Sequence, residues 1–450
     1  MEFPSAFLTR MRHQLGAEFP DFRTALRAQT PPVSVRFNTA KGTHIPFEQT
    51  EPVPWHPRAV YLPERPGFAL DPNWHGGRYY VQEASSMLLY AAIRALDVSE
   101  NPPDTPFRVL DLCAAPGGKT TLLLDAPLPA PTLVVANEVI KSRGSVLREN
   151  LVRWGRSNVA VTQHDPADFA PLAGWFDLVL VDAPCSGEGL FRRDATAARA
   201  WSVANANLCA ARQGRILEDA VPLVAPGGHL LYSTCTYNPA ENDERIRALL
   251  ATGAWELRHP DFPAAWGLVR TEYGHQAYPH RTRGEGFYFA LLRRTGGSTF
   301  RGRVPKTFPK LTAVTRDLPA ELAAWTPGGV RVYGAASDSL FLLPEAHLDD
   351  LLILNRHLPR LTLGVRAGQR KGRKLIPDHA LALFAGLPKS VPSVGVSRAD
   401  ALEFLRKHPL PPVGNRGWQL VRYGNMALGW QKNLGNRTNN YVPTNWRLRR

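Results

Sequence analysis

Five short apolar runs punctuate the middle of this 450-residue chain, each followed by a turn or loop rich in small and polar residues. RVLDLCA (108–114), TLVVANEV (132–139), VAVTQHD (159–165), DLVLVDAP (177–184) and HLLYSTCTY (229–237) have the length and near-continuous apolarity of strands buried on both faces. Helical stretches at 140–154, 203–224 and 239–252 lie among them. The alternation predicts an α/β domain over 96–295, a doubly wound parallel sheet of Rossmann-like type.

The flanks read differently. Residues 1–95 predict a small α/β domain. It has an amphipathic opening helix, a strand at 32–38, a Pro-rich stretch at 51–68 and a helix ending near 96. Prolines at 100–106 and the GGSTFRGRVPK run at 296–306 mark boundaries. Residues 296–365 form a first C-terminal domain or linker region, and 366–450 a small β-rich module with strand candidates at 417–430.

Charge sharpens that division. Lys and Arg number 54 against 39 Asp and Glu, a net +15. From residue 351 on, 18 bases face three acids (Asp378, Asp400, Glu403), so the whole excess sits there and the first 350 residues are neutral. This predicts a polyanion-binding module joined to a neutral catalytic body. The four cysteines make no disulfide framework and form no CxxC pair, so no structural zinc is expected. No signal-peptide core and no run of about 18 apolar residues occurs. The expectation is a cytoplasmic monomer with reduced thiols, no membrane partner and no metal.

The turn in VLDLCAAPGGKT (109–120) allows close backbone approach at Gly117 and Gly118. A Walker loop needs glycine where Cys113 stands, and a dinucleotide fingerprint is absent. Glu138 lies 20 residues after Gly118, the spacing that suits ribose hydroxyls, and Asp165 ends the third strand at the same edge. Together they point to an adenosine-type ligand without pyrophosphate, S-adenosylmethionine. The bland alternatives are a surface acid for Glu138 and a helix cap for Asp165.

Cys185 in DAPCSGEG (182–189) and Cys235 in STCTYNPAENDE (233–244) follow the fourth and fifth strands. Cys209 reads as core, and Cys113 as structural or a backbone contact to the cofactor. Paired thiols suit methylation at C5 of a pyrimidine, a poor nucleophile until a thiolate adds at C6. An acid must then hold or protonate N3, and Asp182 is placed for it. A free thiol is only a few per cent ionised at pH 7. The site must therefore lower its pKa, with Lys119 a candidate. Residues alone do not say which cysteine attacks.

LDLCAAPGGKT (110–120), DAPCSGEGLFRRD (182–194) and STCTYNPAEND (233–243) resemble the RNA 5-methylcytosine methyltransferases, the family of the bacterial RsmB and RsmF proteins and the eukaryotic NSUN proteins. YYVQEASSMLL (79–89) and PHRTRGEGFYFALLRR (279–294) are similar to its flanking motifs, and 417–449 to the PUA-like RNA-binding module of the RsmF type. The resemblance implies a methyltransferase core over 96–295 acting on cytosine in 16S ribosomal RNA, free or in the 30S subunit. Transfer RNA methylation and a non-catalytic assembly factor are the alternatives. It also implies that Cys235 is the nucleophile and Cys185 assists release. Cys113, Ala114, Ala115, Pro116, Gly117, Gly118, Lys119, Glu138, Asp165 and Asp182 line the cofactor pocket by the same resemblance.

Arg36, Asn38, Arg192 and Arg193 are candidate RNA contacts near the core, with Tyr79, Tyr80, Gln82, Phe191 and His280. Arg366, Arg370, Lys371, Arg373 and Lys374 form the basic C-terminal cluster. RNA affinity should fall with salt at a slope of about −0.7 per phosphate contact. Removing 366–450 should flatten that slope in a filter-binding series, and an unchanged slope refutes the C-terminal RNA module.

Overall fold

The computed structural model describes residues 3–27, 31–98 and 105–449; all but the last two residues of the Pro-rich boundary at 100–106 lie outside them. Five parallel strands form the centre of the largest sheet: Phe107–Asp111, Thr132–Asn137, Val159–Thr162, Phe176–Asp182 and Val224–Thr234. In space they run fifth, fourth, first, second, third. The reversal of direction at the first strand creates the crevice where ligands of such sheets bind. Leu110, Val134, Val135, Val179 and Leu230 are fully buried, as double-sided burial of these runs requires.

The sheet is mixed rather than purely parallel. Phe287–Arg294 pairs antiparallel with the fifth strand, and His275–Ala277 with it in turn. At the opposite edge Leu361–Leu363 pairs antiparallel with the third strand. The segment leading to that last strand carries Leu343, Leu351, Ile353, Leu354 and Leu358, which share one core with Phe169, Leu172 and Trp175 of the central domain. Part of the region between 296 and 365 is therefore built into the central domain.

Two further sheets follow. One is antiparallel and five-stranded, from Leu311–Ala313 to the hairpin of Val365–Lys371 and Lys374–Pro377, so it runs across the division expected at 365–366. Gly372 turns that hairpin with φ 58°, with Arg370, Lys371, Arg373 and Lys374 at its tip, while Arg366 lies at the far end of the strand, 3.4 Å from Asp378. The last sheet contains Gly417–Tyr423 and Met426–Asn433, joined at Gly424 with φ 52°. Among the described residues no helix is long and apolar enough to cross a membrane.

At the other end, helices Ser5–Leu15 and Phe19–Arg27 bury Phe7, Met11 and Phe22. These pack against Phe191, Trp201 and Tyr237, residues of the cysteine-bearing loops and the segment after them. The four-stranded sheet behind them has the order Glu51–Pro52, Ala59–Leu62, Val33–Phe37, Tyr79–Val81. Its central strand corrects the RNA assignment of Arg36 and Asn38. Arg36 is fully buried, donates to Gln82 Oε1 (2.9 Å), Thr121 O (3.2 Å), Gly118 O (3.1 Å) and Thr121 Oγ1, and stacks 4.7 Å over Trp154. Burial pulls its pKa down to about 10, with the Asp125 charge opposing. Asn38 Nδ2 donates to Gly77 O and Trp154 O. Both side chains tie the N-terminal sheet to the central domain and cannot reach RNA.

Arg36→Met should therefore lower stability by about 3 kcal/mol, since Asp125 keeps Arg156 at 2.8 Å but loses its buried partner. Urea unfolding measures it. The RNA affinity of the folded fraction should stay unchanged.

Candidate active site

The first strand ends at Asp111, and the chain turns through Gly117, φ 109°, into helix Gly118–Leu123. A Cβ on Gly117 would meet Leu147 Cδ1 at 3.2 Å, and one on Gly118 the Tyr80 ring at 3.2 Å. The positive φ favours glycine at 117, and a Cβ at either position would press its neighbour aside by a few tenths of an ångström. The turn is pinned from the neighbouring strand and helix: Ala114 N donates to Asn137 O (2.8 Å), and Arg143 and Asn150 donate to the carbonyls of Ala115 and Pro116. A cavity of about 170 Å³ opens over it, walled by Cys113–Pro116, Gly118, Lys119 and Asp182 and closed by Tyr80, Gln82 and Glu83 of the N-terminal domain.

Asp111 lies beneath this turn and escaped the sequence reading. It is fully buried, accepts Thr120 Oγ1 at 2.6 Å, and leaves Oδ1 without a partner. Burial raises its pKa to about 7, with the Asp182 charge adding to the effect and Thr120 opposing it. Its signal was there: an acid at the end of an otherwise apolar strand. Cys113 is also pushed well up, by burial and then by the Asp111 and Asp182 charges, so it is an inert thiol.

Glu138 ends the second strand, nearly buried; its Oε1 accepts Ile140 N at 2.9 Å and its Oε2 lies 3.5 Å from Arg143. Asp165 caps the turn Pro166–Leu172, accepting Ala167 N at 3.2 Å. Neither lines the small cavity, though both stand at the same sheet edge.

The two cysteine loops meet. Cys185 Sγ and Cys235 Sγ are 3.3 Å apart. The hydrogen bond to Cys235, then burial and the charges of Cys235 and Glu241, push the Cys185 thiol far up. Asp182 stands beside them, its Oδ2 on Lys119 Nζ (2.7 Å) and its Oδ1 accepting Ser233 Oγ (2.9 Å). Burial draws the Lys119 pKa down, but the Asp182 charge and hydrogen bond, joined by Cys235, outweigh it and the net shift is upward. The site thus joins two sulfurs in contact, a carboxylate and a firmly charged ammonium.

Two buried carboxylates hold these loops and also escaped the sequence reading. Glu188, three residues after Cys185, accepts Trp201 Nε1 (3.0 Å) and Tyr237 N (3.2 Å) and pairs with Arg10 of the first helix (2.7 Å). Glu241, six residues after Cys235, is completely buried and binds Ser186. Each is the acid in a loop otherwise made of small and uncharged residues, which was the available signal.

The remaining candidates separate. Arg192 is a correction: it is bound to Glu285 (3.1–3.2 Å) and Gly284 O (2.8 Å) with 6% of its side chain exposed, so it closes the loop from inside. Phe191 is core, Tyr79 donates to Asp71 (2.7 Å), and His280 meets Glu18 (3.0 Å). Arg193 is exposed and lines a groove of about 660 Å³ with Arg65 and Arg283. Val81, Gln82 and Glu83 wall both this groove and the small cavity, so the two are neighbours. Lys371, Arg373 and Lys374 are exposed on the hairpin tip, where Arg370 lies 3.6 Å from Asp338.

A sheet of this order, a glycine turn after its first strand and paired thiols after its fourth and fifth define an α/β methyltransferase. The family described as 16S rRNA methyltransferase RsmB/F matches residues 98–293. The N-terminal domain of 16S rRNA methyltransferase RsmF matches 3–84, and the methyltransferase RsmF PUA domain matches 391–448. Ribosomal RNA small subunit methyltransferase F of Cronobacter sakazakii is 32% identical, over 98% of this chain and 95% of its own. The Aeromonas hydrophila protein of the same name is 32% identical, over 94% and 90%. Of solved structures, a methyltransferase homolog protein from Pyrococcus horikoshii is 28% identical with a TM-score of 0.53, over 65% of this chain and 95% of its own. The chain belongs to the RsmB/F family of 16S rRNA methyltransferases, in its RsmF branch.

Asp111 generates a pH prediction. Between about pH 4 and 7 the unfolded chain has lost this proton while the folded one keeps it. Stability should therefore fall as pH rises through that window, by about 4 kcal/mol at most, and level off above it. Asp111→Asn should remove this part of the fall while still accepting from Thr120. Chemical denaturation at half-unit pH steps, wild type minus variant, measures it; parallel curves would refute it.

Proposed function

We propose that this protein transfers a methyl group from S-adenosylmethionine to C5 of cytosine in 16S ribosomal RNA, with Cys235 bonded to C6 during the reaction. The observation that carries the reading is the 3.3 Å thiol pair beside the Asp182–Lys119 pair at the mouth of the glycine turn. Few other chemistries need two cysteines and a carboxylate at one sheet edge.

The cofactor fits the turn: a cradle that a Cβ would fill, with Glu138 at the end of the next strand for ribose hydroxyls. Cys113 to Lys119 would hold it, with Glu138 and Asp182, and Asp165 stands at the same edge as a further candidate. When bound, S-adenosylmethionine supplies the methyl group. The chain's own residues do the rest. Cys235 adds to C6 and makes C5 an enamine carbon able to attack. Asp182, fixed by Lys119 and Ser233, meets the N3 edge of the ring and, acting as the acid, hands N3 the proton that neutralises the negative charge developing there. Once C5 is methylated it gives up its proton to solvent, the C5–H electrons re-form the C5=C6 double bond, and the C6–S bond breaks with Cys235 leaving as the thiolate; the neighbouring Cys185 thiol assists that release by hydrogen-bonding to the leaving sulfur. The upward shift of Cys185, driven first by its hydrogen bond to Cys235, supports its part as the thiol rather than the attacking sulfur.

The RNA strand around the target base runs in this reading along the groove of Arg65, Arg193 and Arg283, which opens beside the cavity. Lys371, Arg373 and Lys374 and the PUA unit add sequence-independent phosphate attraction farther off. The base must leave its stack to reach Cys235.

Cys185→Ala and Cys235→Ala variants test the roles on 16S RNA with the cofactor. Cys185→Ala should accumulate a protein–RNA adduct that survives denaturing gels, and Cys235→Ala should give neither adduct nor methylated RNA. The reverse pattern exchanges the two roles. A wild type that methylates no RNA refutes the reading.

A further inference from the structure

Glu241 is a carboxylate without a cation. Its side chain is fully buried, and no Lys, Arg or His of the described residues is in ion-pair contact with it. Buried charges are costly when they are not paired, and one kept this way is held by dipoles that need it. Those dipoles come from both thiol loops at once. Oε2 accepts Ser186 N (2.8 Å) and Gln213 Nε2 (3.1 Å). Oε1 accepts Ser186 Oγ (2.5 Å) and Asn238 Nδ2 (3.2 Å), with Thr236 Oγ1 at 3.5 Å. Ser186 directly follows Cys185 and Thr236 directly follows Cys235, and their hydroxyls also meet at 3.0 Å. Gln213, from helix Val203–Ala220, binds Pro184 O (3.1 Å) as well, so the residues on both sides of Cys185 are tied to this cluster.

We propose that Glu241 is the positioning residue of the reaction: one buried carboxylate clamps the residues following both cysteines and so sets the distance between the two sulfurs. It touches neither substrate nor cofactor and acts through Ser186 and Thr236. Its charge also adds to what keeps the Cys185 proton in place. The proposal rests on the thiol chemistry proposed above for its consequence, though not for its geometry.

Catalytic atoms displaced by about 1 Å cost about 10²-fold in rate. Glu241→Gln keeps the shape but trades one acceptor oxygen for a donor NH2, which faces Ser186 N and Gln213 Nε2 or Asn238 Nδ2. Its kcat for methyl transfer should fall about 10²-fold, with KM for RNA and affinity for S-adenosylmethionine changed by about threefold or less. Ser186→Ala, which removes the hydroxyl's contacts to Glu241 and Thr236 and keeps the backbone one, should show the same split at about tenfold.

A second readout needs no RNA. Diamide takes the two thiol hydrogens of Cys185 and Cys235, is itself reduced to the hydrazine, and leaves a disulfide, at a rate set by how the sulfurs are held. Closure, followed by mass, should slow about tenfold in both variants, while iodoacetamide labels Cys235 at the wild-type rate in a Cys185→Ala background. Unchanged closure rates in both variants overturn the proposal, as does a loss of kcat matched by an equal loss of cofactor affinity. If Glu241→Gln fails to fold, Ser186→Ala decides alone. If wild type transfers no methyl group, the closure rates still test the clamp, so the two readings fail separately.

Discussion

In the central sheet Asp182 stands opposite Ser233, and the site depends on that register. The two strands are parallel and adjacent, with Leu180 opposite Leu231 and Val181 opposite Tyr232. Both chains therefore leave the sheet at the same height and on the same edge. Ala183 N donates to Ser233 O (2.9 Å) just past the last pair, and Ser233 Oγ reaches across to Asp182. Cys185 lies three residues beyond Asp182 and Cys235 two beyond Ser233, so the sulfurs must converge. A slip of one residue would turn every buried side chain of one strand to the other face. The apolar runs that fix the register for packing thus fix the sulfurs for chemistry.

Everything around this edge restrains it further. Helices from the N-terminus bury Phe7 and Phe22 against Phe191 and Tyr237, under the same loops. Arg10 reaches in from the first helix to Glu188, and Glu241 ties the loops from behind. Arg36 bolts the N-terminal sheet to the helix that carries Lys119. The N-terminal unit is thus a wall of the site: it supplies Tyr80 and Gln82 to the cavity and cannot move without moving the glycine turn.

The parts legible in sequence are those whose information is local. Five apolar runs and three motifs at their ends gave the central strands, the glycine turn and both cysteine loops, because in a parallel sheet the chemistry sits where each strand stops. The edges were not legible. Leu361–Leu363 is three residues long and pairs with a strand some 200 residues earlier, so its only signal is a partner the sequence does not name. Arginines were the least legible. Arg192 and Arg193 are neighbours in one basic motif, yet Glu285 takes the first into the interior and the second faces solvent. Arg36 was assigned to RNA on its residue type, while its fate was decided by carbonyls at Gly118 and Thr121, more than 80 residues away. A guanidinium that closes a domain joint and one that meets a phosphate look alike until their partners are known.

The same point applies to the two cysteine loops, which are alike in sequence but face different neighbours. Two thiolates 3.3 Å apart among Asp111, Asp182 and Glu241 would repel one another and those acids. One proton must therefore remain on the pair. The two sulfurs face different charges: the buried Glu241 is among the causes that raise the Cys185 pKa, while Cys235 and the ammonium of Lys119 act on one another. One sulfur thus has a carboxylate for a neighbour and the other a lysine, and that lysine is itself kept charged by Asp182. In the proposed reaction it is these two neighbours, rather than the cysteines themselves, that distinguish the sulfur that attacks from the one that assists release.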